Sequence, residues 1–297
     1  MEDAAGLALA KLDLAELDLV TPSGLRAALA AAGLRLRPSR GQHFLVSRHV
    51  LDRILSSAGI KPGETVLEVG AGVGTLTVAL ARAGARVTAV EVDGRFIPVL
   101  RAVCVPYPNV RIVHADAMTL TPEMLPEAPE AVVANLPYAI ASPLLINLLE
   151  AGLGRRFVVM VQHEVAGRIV APPGGKSYGL LSVAVQARAA AAIVARVPRS
   201  AFFPPPAVNS AIVRLEVREE PAVPRPLMPV LMAVARAAFG QRRKMLRSAL
   251  QSIRGTPLPA AAVEELCRAA GVDPRRRGES LSLSEFSLLA RALADRE

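Results

Sequence analysis

The chain has 297 residues, 52% of them hydrophobic, enough for one large domain plus a small one with well-filled cores. No apolar run approaches the roughly 20 residues of a membrane span, and the N-terminus opens with acids where a secretory signal would carry basic residues, so a globular, cytoplasmic protein is expected. The net charge of +9 is unevenly spread: residues 1–40 hold five basic and five acidic groups, 41–221 hold 17 and 14, and 222–297 hold 13 and 7. The last quarter, with its +6, suits a polyanion such as RNA.

In chain order, residues 1–40 contain an Ala/Leu-rich helix around "SGLRAALAAAGL", with Ser23 as expected N-cap and Gly33 as stop. This N-terminal helical extension reads as an appendage. From residue 62, apolar runs alternate with helical ones: strand "TVLEVG", a helix from Thr75 to about Ala83, strand "RVTAVEV", a helix from about Arg95, strands "VRIVHA" and "AVVAN", a helix from about Ser142, and strand "RFVVMVQ". That rhythm predicts an α/β domain over 41–221 with a mostly parallel sheet covered on both faces. A Pro-rich loop, "AFFPPPAVN", leads into a last strand, "AIVRLEV". After a linker near "REEPAVPRP", residues 222–297 read as helices only (about 227–253, 259–270 and 282–294), a small all-helical C-terminal domain. Cys104 and Cys267 lie far apart with no CxxC pattern, which predicts buried free thiols and no metal site.

The chemistry gathers at strand ends. In "VLEVGAGVGTL", Gly70, Gly72 and Gly74 follow the first strand, but Thr75 stands where the dinucleotide fingerprint needs its third glycine, which argues against a nicotinamide cofactor. Glu91 ends the second strand as a candidate acceptor for ribose hydroxyls, and Asp116 follows the third as acceptor for an adenine amino group. Backbone turn, ribose acceptor and base acceptor, in that order, fit an adenosine without a pyrophosphate, and S-adenosylmethionine fits best. The fourth strand runs into "NLPY", residues 135–138. There the Asn135 side-chain oxygen and the Leu136 or Pro137 carbonyl could hold the two amino hydrogens of an adenine whose lone pair must leave the ring plane to accept a methyl group. Pro137 stiffens the turn and Tyr138 offers a ring for the base to stack on. Positioning suffices for such a transfer, with no histidine-type base. Phe202 and Phe203, on the Pro-rich loop, are candidates to cover the other face of the base. On a helix running through Gly240, Arg236, Arg243 and Arg247 would form one row for phosphates, with Lys244 and Arg275, Arg276 and Arg277 as further candidates.

Nine segments, "GQHFL", "LEVGAGVGTLT", "VEVD", "HAD", "NLPY", "VQHEVAGRIVAPPGGKSYGLLSVAVQ", "FFPPPAVNSAIVRL", "FGQRRKMLRSAL" and "ESLSLSEF", together resemble the ribosomal RNA adenine dimethyltransferases, and within them the KsgA/RsmA group acting on small-subunit rRNA. The resemblance runs from about residue 21 to the end. It implies a Rossmann-like S-adenosylmethionine-dependent methyltransferase fold with a seven-stranded sheet. It implies cofactor contacts from His43, Leu45, Gly70, Gly72, Glu91, Asp116 and Asn135, and a target-base site of Asn135, Leu136, Pro137 and Tyr138, with Phe202 rather than Phe203 at the stacking position. It also implies dimethylation of two adjacent adenines in a 3′-terminal rRNA hairpin loop, within a pre-ribosomal 30S particle. The chain departs from the family pattern at His43, where Asn is usual, at Ala139 and Ala141, and at Ser248, where Asn is usual. Rival readings are a large-subunit methyltransferase of the macrolide-resistance (Erm) type, a non-catalytic ribosome-assembly or RNA-binding factor on the same fold and, more remotely, a DNA adenine methylase. A monomer is the expected state.

Overall fold

The computed structural model describes residues 14–36, 42–253 and 258–296; the remainder of the expected N-terminal extension and of the segments around 37–41 and 254–257 lies outside the described residues. The strands are β1 (Phe44–Leu45), β2 (Thr65–Val69), β3 (Arg86–Glu91), β4 (Val110–His114), β5 (Ala131–Asn135), β6 (Arg156–Gln162), β7 (Ala189–Val197), β8 (Phe202–Phe203) and β9 (Ser210–Val217). The helices are α1 (Pro22–Ala31), α2 (Arg48–Ala58), α3 (Thr75–Arg82), α4 (Ile97–Cys104), α5 (Ala141–Glu150), α6 (His163–Ile169), α7 (Leu180–Gln186), α8 (Met228–Gly240), α9 (Leu246–Ala249), α10 (Ala260–Ala269) and α11 (Leu283–Ala294).

Seven strands form one sheet in the order β4-β3-β2-β5-β6-β9-β7. β2 to β6 are mutually parallel where they pair, and β9 runs antiparallel to β6. Every residue of β2 is buried, as a strand covered on both faces requires. Strand order reverses between β2 and β5, and a parallel sheet opens a crevice at the carboxyl ends of its strands at such a point. The flanking core joins Leu51, Ile54 and Ala58 of α2 and Leu76 and Leu80 of α3 to Val66, Val87, Val133 and Val158 of the sheet. A separate two-stranded ribbon pairs β1 with β8, setting Phe44 opposite Phe203 and Leu45 opposite Phe202.

The described part of the N-terminal extension is no appendage. Leu25, Ala28 and Leu29 form the buried stripe of α1 and pack with Val73, Phe96, Val99 and Val103, each fully buried large side chain contributing about 1.5–3 kcal/mol. The N-cap is Thr21 rather than Ser23: its hydroxyl accepts from Gly24 N, and Pro22, lacking an N–H, occupies the first helical turn where none is needed.

Contacts divide the chain into two compact units, one of residues 1–166 and 192–217, the other of 167–191 and 218–297. The expected boundary near 222 therefore omits a segment: residues 167–191 belong with the C-terminal helices. Their Tyr178, Val183 and Ala187 share a core with Leu231, Val234 and Ala235 of α8, Leu266 of α10 and Phe286 and Leu289 of α11.

The helix expected over 227–253 is also broken. α8 ends at Gly240, Gln241 leaves helical geometry (φ −128°, ψ 58°), and Met245 is extended (ψ 158°) before α9 begins. The Leu246 and Arg247 N–H groups donate to the carbonyls of Arg276 (2.8 Å) and Pro274 (3.0 Å), partners that a continuous helix would not have met. "ESLSLSEF" builds the start of α11: Ser282 Oγ accepts from Glu285 N, Glu285 Oε2 accepts from Ser282 N, and Arg276 pairs with the same carboxylate and holds its pKa below the usual range. Gly278 lies against α8, where an added Cβ would meet Ala238 Cβ at 2.8 Å and Ala238 O at 3.0 Å. Gly278→Ala is expected to destabilise the protein by about 1–3 kcal/mol, read as a lowered unfolding midpoint in denaturant.

Candidate active site

A cavity of about 500 Å³ opens at the carboxyl ends of β2, β3, β4 and β5, the place set by the reversal in strand order. Its floor is the glycine turn after β2. Gly70, Gly72 and Gly74 all have positive φ, and the Gly70 and Ala71 N–H groups donate to Val90 O. Gly72 also allows a close approach: a Cβ there would lie 2.7 Å from the Phe44 ring. The buried Glu91 carboxylate holds the turn, Oε2 accepting from Gly72 N and Oε1 from Asp93 N, both at 2.8 Å. A carboxylate has about four acceptor sites, so two remain for hydroxyl donors. Asp116 lines the cavity and is exposed; its Oδ1 caps the following turn by accepting from Met118 N at 2.8 Å.

"NLPY" forms the opposite wall. Asn135 Nδ2 donates to His43 O at 3.1 Å, which fixes the amide's orientation and leaves Oδ1 buried without a partner. A buried polar atom left unpaired costs about 1–3 kcal/mol, so Oδ1 is an acceptor prepared for a donor. The Pro137 carbonyl accepts from Ile140 N (3.1 Å), which makes Leu136 O the freer of the two carbonyls. Tyr138 lines the cavity; its hydroxyl bonds Ser210 Oγ, and burial raises its pKa.

His43 lines the same cavity, its ring stacked at 5.7 Å on Tyr138 and its Nδ1 bonded to Pro204 O at 2.8 Å. Neither Leu45 nor Phe202 lines it. Both are buried, paired in the β1–β8 ribbon, and Phe202 meets Tyr138 edge-on at 6.5 Å, so in this structure it backs the tyrosine rather than offering its own face. Phe203 is covered by the Arg26 guanidinium, 4.6 Å from the ring centroid. Sequence reasoning missed Phe44, Gln42 and Asp93, which line the cavity, and Ser210, which anchors Tyr138. The alternation of "QHFL" could have signalled that Phe44 faces away from Leu45.

Arg236, Arg243, Lys244 and Arg247 of the second unit are exposed, but they share no helical face: Arg236 is on α8, Arg243 and Lys244 are in the turn after it, and Arg247 is on α9. Arg275 pairs with Asp273 and Arg276 with Glu285.

A family model described as Ribosomal RNA adenine dimethylase matches residues 33–289. The chain belongs to the ribosomal RNA adenine dimethylase family. Among its relatives, Ribosomal RNA small subunit methyltransferase A of Geobacillus kaustophilus is 40% identical over 285 residues, covering 93% of this chain and 97% of its own length. The protein of the same name from Bacillus licheniformis is 38% identical over 286 residues, 94% of this chain and 98% of its own. Among solved structures, a dimethyladenosine transferase from Plasmodium falciparum superposes with a TM-score of 0.72 at 27% identity, over 86% of this chain and 98% of that one. The 23S rRNA methyltransferase ErmE gives 0.64 at 30% identity, over 84% and 99%.

The family's cofactor is S-adenosylmethionine, and the cavity fits it: a backbone turn without side chains, a buried carboxylate with acceptor sites to spare, and the unpaired Asn135 Oδ1. When bound, it supplies a methyl carbon on a sulfonium, open to in-line attack by a nitrogen lone pair.

One buried acid stands behind the glycine turn. Burial pushes the Glu68 carboxyl up to about 8, and the neighbouring Glu91 charge acts in the same direction. Because the folded state keeps this proton while the unfolded chain releases it near 4.5, stability falls as pH rises through that interval. Glu68→Gln mimics the neutral acid, so its unfolding midpoint relative to the wild type is expected to rise steadily from pH 5 to pH 8 in parallel denaturation series.

Proposed function

We propose that this protein transfers methyl groups from S-adenosylmethionine to the 6-amino groups of two adjacent adenines in the 3′-terminal hairpin loop of small-subunit (16S) rRNA, acting as a cytoplasmic monomer on a pre-ribosomal 30S particle. The observation that carries the chemistry is the buried, unpaired Asn135 Oδ1. It and Leu136 O would accept the two amino hydrogens of the target base, drawing the nitrogen lone pair out of conjugation with the ring and toward the methyl carbon. Tyr138, fixed by Ser210, would stack on the base, with Phe202 behind it as support. Glu91 would accept ribose hydroxyls, Asp116 the cofactor's adenine amino group, and His43 would bound the cavity while its carbonyl holds Asn135. The nitrogen's proton, acidic once the methyl has arrived, leaves to water. The small subunit is favoured as target because the relatives named for it match at 38–40% identity, against 30% for the large-subunit enzyme ErmE. No helix among the described residues is long and apolar enough to cross a membrane.

Labelled S-adenosylmethionine, incubated with unmethylated small subunits and, in parallel, large subunits, is expected to leave dimethyladenines at adjacent positions near the small-subunit RNA 3′ end, read by mass spectrometry of RNA fragments. Label confined to large subunits would move the protein to the Erm type. Asn135→Ala should lower methylation at least about 100-fold while RNA affinity stays within a factor of about two, as expected for removal of an oriented acceptor at the reacting group. Neutralising Arg243 and Arg247 together should weaken RNA binding and reduce the slope of log affinity against log salt by about 1–2, measured by titration at several salt concentrations.

A further inference from the structure

A second cavity, also of about 500 Å³, opens in the same unit, at the ends of β6 and β7 and the start of β9. Gln162, His163 and Arg196 line it, and their side chains make no hydrogen bond or ion pair among the described residues. Pro198 and Val208 give it apolar walls, and Val208 is 46% exposed. Asn209 closes one end. Its carbonyl accepts from His163 N (2.9 Å) and its Oδ1 from Arg199 N (3.1 Å), which leaves the Nδ2 hydrogens to donate. Glu164 also lines it and has a partner of its own.

One residue pair ties this cavity to the first. Gln162 stands opposite Ser210 in the β6–β9 register, and Ser210 Oγ bonds the Tyr138 hydroxyl. A strand of RNA that continues from a target base on Tyr138 across the β6–β9 pair carries its next nucleotide past Gln162. An amide presents a donor and an acceptor in one plane, the match for N6 and N7 of adenine, while an unpaired guanidinium suits a phosphate. Single-stranded RNA is commonly read in this way, with unstacked bases between apolar or planar walls and polar groups at their edges.

We propose that the second cavity binds the adenine adjoining the target adenine, with Gln162 reading its base edge and Arg196 holding its phosphate. The proposal rests on the functional reading above, since it needs an RNA strand at Tyr138.

The test uses small subunits assembled with rRNA carrying adenine or uracil next to the target, on either side, and measures kcat/KM at the target. Cofactor affinity of each variant serves as the control for folding. The wild type is expected to lose roughly 10-fold when the neighbour on one side becomes uracil, in line with a bidentate base contact. Gln162→Ala and the shape-preserving Gln162→Glu should show that loss already with adenine and little more with uracil. Arg196→Ala should lower both substrates alike, chiefly through KM. If the Gln162 variants discriminate adenine from uracil as the wild type does, or if the wild type does not discriminate on either side, the proposal is overturned. A wild type that methylates no small subunit defeats the functional reading instead, and shows it before any variant is compared.

Discussion

The Asn135 side chain can serve as an acceptor at the sheet rim only because its other end is occupied. An amide offers an oxygen and an NH₂ group of similar shape, and either could face the cavity if nothing chose between them. The bond from Nδ2 to the His43 carbonyl makes the choice. That carbonyl is itself placed by the β1–β8 ribbon, through the residues that follow it. The segment preceding the sheet thus orients the group that ends the fourth strand of the parallel set, and the Phe loop is drawn into the same arrangement through the bond from the His43 ring to Pro204 O. Ribbon, amide and aromatic wall form one interlocked element.

A comparable economy holds the other wall. Glu91 uses one oxygen on each of two loops, so a single carboxylate sets both the glycine turn after β2 and the bend after β3. Glu68, one layer deeper, is kept neutral by burial, which spares the site a second full negative charge beside Glu91.

The parallel strands were legible in the sequence because buried strands such as "TVLEV" and "AVVAN" are short apolar runs bounded by turn residues, and β2 to β6 and β9 fall where such runs are read. β7, the longest strand of the sheet, is not read: its alanine-rich "AAAAIVARV", mostly exposed or half-buried, has no such run. The candidate cavity residues Gly70, Gly72, Glu91, Asp116 and Asn135 were also readable, since each sits at a strand tip and the order of strands brings tips together. What pattern could not supply was long-range pairing. The two-residue strands β1 and β8 have no periodicity to detect, so the burial of Leu45 and Phe202 was hidden. The break after Gly240 was missed for a related reason: apolar spacing continues through Phe239, Leu246 and Leu250, and only the distant carbonyls of Pro274 and Arg276 reveal where the chain restarts. Likewise, nothing local marks 167–191 as part of the helical core, because its partners, from Leu231 to Leu289, lie far downstream in the chain.

That last arrangement bears on how the chain is made. The path passes between the two units three times, at 166/167, 191/192 and 217/218. During synthesis the segment with Tyr178, Val183 and Ala187 emerges well before α8, α10 and α11 exist to cover it. The first unit can close its sheet once β9 is out, while an apolar segment within its sequence waits for the last helices. The helical unit is therefore completed only once α11 has emerged, and its later helices cannot be removed without uncovering a surface in the middle of the chain.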